Sequence, residues 1–167
     1  MKRHSGWLAA GLLLFAVLAC NLSKNSNNSN NSNSNSNSNS NNKNSNTATV
    51  NRPANADVYV DKIHMAKDKD GSPGATSSTF GPSDHTIHCV IDLNKAKGGT
   101  NIKFVWKAVD VTGVPSGEIT TVAYTTKSFE NLVHSHLTRP TDWPTGTYEA
   151  DVFINGALDK IIKFTVE

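Results

Sequence analysis

The chain has 167 residues, with 16 Lys and Arg against 14 Asp and Glu, and only two cysteines, enough for one domain with appendages. The composition is uneven: residues 21–49 hold 14 Asn and 9 Ser, and the last 118 residues carry 12 basic against 14 acidic side chains. That balance excludes a nucleic-acid binder, and two cysteines with a single long apolar run exclude a disulfide-stapled miniprotein, a polytopic membrane protein and a multidomain enzyme.

In chain order, a basic start, Met1-Lys2-Arg3-His4, precedes the apolar run Trp7 to Ala19. This run is too short to cross a hydrocarbon layer about 30 Å thick as a helix, and it reads as a secretory signal over residues 1–19. The run ends Val17-Leu18-Ala19-Cys20, which resembles the lipobox of bacterial lipoproteins, with Val17 where leucine is usual. The resemblance implies cleavage before Cys20, diacylation of its sulfur and a lipid anchor in a membrane, palmitate being a typical acyl chain. Asn21, where inner-membrane retention would use Asp, points to the outer membrane or cell surface. An ordinary cleaved signal or an uncleaved amino-terminal anchor leaves the placement of Cys20 unexplained.

Residues 20–49 have almost nothing to bury and cannot offset the entropy of ordering, so they are expected to form a disordered tether. As a flexible coil this segment reaches about 30 Å.

From residue 50 the pattern is period two in short runs, with no stretch of helical period, which predicts an all-β domain over residues 50–167. Seven strands are expected: Val58 to Met65, Thr86 to Leu93, Asn101 to Val109, Glu118 to Thr125, Phe129 to Leu137, Thr147 to Ile154, and a last run with Leu158, Ile162, Phe164 and Val166 inward. Inward faces are expected for Ile87, Cys89, Ile91 and Leu93, for Ile102, Phe104, Trp106 and Ala108, and for Tyr148, Ala150, Val152 and Ile154. Asn155-Gly156 between the last two runs is a hairpin signal, since both residues tolerate the positive φ of a type I′ turn. Asp68-Lys69-Asp70-Gly71 departs from a calcium loop, its glycine arriving two positions early, and reads as an Asp-Gly turn.

Cys89, followed seventeen positions later by Trp106 and then by Gly146-Thr147-Tyr148-Glu149-Ala150, resembles the landmark set of an immunoglobulin-like domain. The resemblance implies a two-sheet antiparallel sandwich with Trp106 in the core, Tyr148 at a tyrosine corner and Cys89 at the first cysteine position. Ala150 stands at the second cysteine position, so the inter-sheet disulfide is missing and Cys89 is a buried, unreactive thiol.

No nucleophile elbow, zinc-protease helix, phosphate loop or dinucleotide glycine pattern is present, so no catalysis and no cofactor are expected. Two candidate surfaces follow from the strand alternation. Val90, Val105, Val109, Val111, Phe153 and Ile161 fall on outward positions; among them Phe153, Val105 and Ile161 mark a candidate face for a protein or glycan partner. On the other sheet His88, His134 and His136 point outward, and in an immunoglobulin-like strand order their strands are adjacent, so the imidazoles can converge on zinc, copper or nickel. No Asp or Glu adjacent in sequence is evident to orient the rings. The leading expectation is therefore a membrane-tethered cell-envelope binding or adhesion module, with a metal-binding protein as the alternative.

Overall fold

The computed structural model describes residues 46–167, and all structural statements concern these; the signal, Cys20 and most of the tether lie outside them. No helix occurs among the described residues. Ten strands are present: β1 (Thr47–Thr49), β2 (Val60–Lys69), β3 (Ser72–Thr76), β4 (Thr79–Phe80), β5 (Thr86–Leu93), β6 (Asn101–Val111), β7 (Gly117–Thr125), β8 (Leu132–Thr138), β9 (Gly146–Ile154) and β10 (Ala157–Val166). They form two sheets, one ordered β3-β2-β5-β8 and the other β1-β10-β9-β6-β7, with β4 joined in parallel to β10. All other pairings are antiparallel.

The alternation seen in the sequence decides the two inner faces. Ile87, Cys89, Ile91, Val133 and Ser135 from one sheet meet Phe104, Trp106, Tyr148, Ala150, Val152 and Phe164 from the other, all buried. Trp106 is fully buried, and its Nε1–H donates across the sandwich to Ser135 Oγ at 3.1 Å, which satisfies a donor that would otherwise be stranded in the core. Tyr148 stacks on Phe164 with centroids 5.3 Å apart, while its hydroxyl donates to the Pro144 carbonyl at 2.8 Å. This bond back to upstream backbone is the tyrosine corner. Cys89 is buried beside this core, and burial pushes its thiol pKa far up, so it packs as a small apolar side chain.

Four expectations need correction, and each has a local cause. Val111 is not outward: an irregularity in the β6–β9 register between Ala108 and Asp110 inserts Val109 as an extra residue, so Val111 pairs with Gly146 and enters the core. Leu158 is not inward, because a bulge between Leu158 and Lys160 sets it opposite outward Phe153 and turns Asp159 into the domain instead. There Asp159 accepts from the Val60 N–H at 2.6 Å and pairs with Arg52, the partners a buried carboxylate requires. Phe129 does not start a strand: it has φ +65° and lies in the turn before β8. Finally, β1 falls within the segment expected to be tether, since Thr47–Thr49 pairs with Lys160 to Ile162 at the edge of β10.

The hairpin β2–β3 extends the expected first strand by four residues. Its turn is Asp70-Gly71, with φ +54° and +81°, the left-handed pair a type I′ turn demands. Asp68 Oδ2 accepts the Gly71 N–H at 3.2 Å, an Asx-type bond that holds the carboxylate at the mouth of the hairpin.

Candidate metal centre

The outer face of β2-β5-β8 is built by strict pairing. His88 lies directly opposite His136, and Val90 opposite His134; on the other side of β5, Ala66 faces His88 and His64 faces Val90. Side chains of one parity share a face, so His88, His134 and His136 project together, away from the core that Cys89, Val133 and Ser135 fill. The diagonal offset of one pair lets both β8 rings reach the His88 ring. Ring centroids are 5.5 Å apart for His88–His134 and 5.5 Å for His88–His136. One nitrogen from each of the three rings lies within 4.8 Å of the other two.

The three residues are not equivalent. His134 and His136 are exposed, whereas His88 is fully buried although it points outward from the sheet. Its Nε2 lies 2.8 Å from Asp68 Oδ1. The His88 hydrogen bond, followed by that of the Gly71 amide, holds the Asp68 carboxyl below its ordinary pKa. A carboxylate can only accept, so His88 Nε2 carries the proton and donates it. In the neutral form of this ring the lone pair is on Nδ1. That atom is buried and has no hydrogen-bond partner, an unsatisfied group of the kind that asks for an explanation. His134 is held below the usual imidazole pKa, chiefly by partial burial and then by its two neighbouring histidines, which favours the neutral, metal-ligating form.

The arrangement is thus a set of three imidazoles with a carboxylate behind the innermost one. Carboxylate–histidine pairs of this type fix ring orientation and raise ligand basicity at metal sites. The expected trio is brought together; the missing element was Asp68, which is twenty residues from His88 and reaches it because the β2–β3 turn places it there. The sequence did mark Asp68-Lys69-Asp70-Gly71 as a turn, but a turn alone does not say which strand neighbours its carboxylate.

The other candidate face belongs to the larger sheet. Val105 points outward but is 6% exposed, Phe153 is half-buried beneath Lys103, whose Nζ sits 4.1 Å from the ring centroid, and Ile161 is half-buried opposite Asp151. Lys107 beside them pairs with Asp151 and with Glu149 at 3.3 Å. Asp151 comes first among the causes that raise the Lys107 pKa. The three expected residues do share one face, and it is largely covered by its own lysine stems and ion pairs.

The fold is similar to that in a crystal structure of an immunoglobulin-like protein from Pseudomonas aeruginosa, with a TM-score of 0.48 at 15% identity, over 69% of this chain and 100% of that one. No protein-family model matches the sequence, and no curated protein matches it. The strand order, with β2-β5-β8 on one sheet and β7-β6-β9-β10 on the other, together with the core tryptophan and the tyrosine corner, makes the domain an immunoglobulin-like sandwich.

Proposed function

We propose that the chain is a lipid-anchored cell-envelope protein without catalytic activity, whose immunoglobulin-like domain binds a divalent transition-metal ion through His88, His134 and His136. The observation that carries this reading is the convergence of three imidazoles, one nitrogen from each within 4.8 Å of the others, with the His88 ring held by Asp68 and its Nδ1 buried and without a hydrogen-bond partner. Imidazole donors suit zinc, copper(II) and nickel, and no thiolate contributes, since Cys89 faces the core. Asp68 orients a ligand and is not itself one.

Zinc titration of the full chain against a chromophoric chelator tests this directly. One zinc per chain is expected, with affinity falling at least about tenfold in His134→Ala and in His136→Ala, and about tenfold in Asp68→Asn. Both histidines are exposed, so these two variants keep the fold. Unchanged zinc affinity in the double His134→Ala/His136→Ala variant would overturn the reading. The anchor rests on Val17-Leu18-Ala19-Cys20: Cys20→Ala is expected to abolish partitioning of the protein into detergent with the membrane fraction, and unchanged partitioning of correctly cleaved protein would remove the anchor.

Contact with an envelope protein or glycan through Phe153, Val105 and Ile161 remains compatible with such a protein. It is the weaker reading, because Val105 is buried and Lys103 lies over the Phe153 ring.

A further inference from the structure

Each sheet of a sandwich ends in two edge strands whose outer backbone groups lack a ladder partner, and proteins blunt such edges with short strands, charges, prolines or bulges. Three of the four ends are blunted here. β1 has three residues and shares its end of the sheet with β4. β3 has five, with Pro73 among them, and its register against β2 shifts between Ala66 and Asp68. β7 carries Glu118, and its register against β6 shifts between Trp106 and Lys107. β8 has none of these devices. Leu132–Thr138 contains no proline and no Asp, Glu, Lys or Arg, and it pairs with β5 from Thr86 to Asp92 without a shift.

The parity of that ladder tells which backbone groups are free. At its two ends the Leu93 N–H donates to the Asn131 carbonyl at 2.8 Å and the Arg139 N–H to the His85 carbonyl at 2.9 Å. Antiparallel rungs alternate between pairs that exchange hydrogen bonds and pairs that do not, so Val133, Ser135 and Leu137 turn their N–H and C=O toward β5. Leu132, His134, His136 and Thr138 turn theirs away from the sheet, in a row about 20 Å long. Two of the three exposed large apolar side chains among the described residues stand at this edge: Leu132 at 57% and Phe129, in the turn before β8, at 94%.

From this we infer that β8 pairs antiparallel with β8 of a second copy of the chain, about a two-fold axis at Ser135, joining the two smaller sheets into one. A two-fold perpendicular to the sheet keeps the outer faces together, and centring it at Ser135 matches the whole strand: Leu132 with the partner's Thr138, Val133 with the partner's Leu137, His134 with the partner's His136. Every free N–H and C=O of the row then meets its opposite, as an isologous contact requires. The strand offers no charge for a foreign strand to recognise and none to repel its own copy. On the core side, half-buried Leu137 gains the partner's Val133 as a neighbour, and on the outer side the partner's chain runs past Leu132 toward Phe129. The ladder uses backbone groups and leaves the imidazoles of His134 and His136 on the outer face, so the pairing does not rest on the metal reading.

Sedimentation velocity of the full chain in excess detergent with EDTA present, over a range of protein concentrations, tests the pairing. The parent is expected to form a dimer that dissociates on dilution. Leu132→Lys/Thr138→Lys sets lysines opposite each other at both ends of the ladder and should weaken the dimer by roughly tenfold or more, whereas Leu132→Lys/Thr138→Glu sets opposite charges there and should restore it. Both positions are exposed, and they lie about 20 Å apart along one strand, so the charges do not meet within a chain. Both variants lose the exposed Thr86–Thr138 hydroxyl bond, which leaves the charge as the difference between them. A monomer at all concentrations overturns the inference. A dimer unchanged in the lysine variant places the contact elsewhere, β7 being the next candidate edge, and a dimer lost in both variants contradicts the register; either result overturns it. A dimer that forms only when zinc replaces EDTA overturns it too, since the metal and not the ladder would then hold the copies. Because zinc is otherwise absent, failure of the metal reading leaves this result unaffected.

Discussion

The two outward faces of the sandwich obey the same alternation and end in opposite chemical states. On the larger sheet the outward residues of β6, β9 and β10 neutralise one another: Lys107 engages Asp151 and Glu149, Lys163 lies 4.0 Å from Glu149, and Lys103 covers Phe153. One oxygen of Asp151 stays unpartnered, but its other oxygen holds Lys107. On the smaller sheet His88 of β5 and His134 and His136 of β8 face outward together, and the buried Nδ1 of His88 is left without a hydrogen-bond partner. Opposite charges facing each other across a ladder close a surface, whereas imidazoles facing each other leave ring nitrogens available. The difference between a solubilising face and a candidate ligand site therefore lies in which residue types the register sets opposite each other, not in exposure.

Four measurements break or sharpen this contrast. The largest effect is expected in the core that both faces share: Trp106→Ala should cost about 3–5 kcal/mol in denaturant unfolding, because the side chain is fully buried and bonds Ser135 across the sheets. A loss below about 1 kcal/mol would mean that the two sheets are not joined there. Next, zinc at a hundred times its dissociation constant should raise stability by about 2.7 kcal/mol, and the gain should vanish in His134→Ala/His136→Ala. A gain that survives in that variant would place the metal elsewhere.

On the other face Phe153→Ser should cost about 1–2 kcal/mol, for a half-buried ring and its lysine contact, and leave zinc affinity unchanged. Complete unfolding would show that this outward residue behaves as core, and altered zinc affinity would show that the two faces are coupled. The smallest effect is expected for Lys103→Ala, about 0.5 kcal/mol, close to the range of exposed substitutions. A larger value would make the cover over Phe153 a structural element of the fold.

Much of the fold was legible before any coordinates. Cys89, Trp106 and Tyr148 have the spacing of an immunoglobulin-like core, and alternation alone assigned Phe104, Val152 and Phe164 to the inside and His88, His134 and His136 to the outside. Two of the four failures lie at irregularities of the register. Val111 and Leu158 changed faces because a single inserted residue reverses every side chain beyond it, and no residue type in those runs announces the bulge. The exposed turn at Phe129 was read as strand because an aromatic residue usually belongs in one.

What the sequence determined by itself is local: a run of residues with period two must put alternate side chains on opposite faces, and Asp70-Gly71 or Asn155-Gly156 must turn, because backbone sterics act between near neighbours. Only the tertiary structure decided that β5 lies between β2 and β8. That placement carries Asp68 to one nitrogen of His88 and brings His134 and His136 beside the same ring, and it buries His88 although it faces away from the core. Strand neighbours are chosen by how both sheets bury their apolar faces at once, a condition on the whole chain that no segment contains.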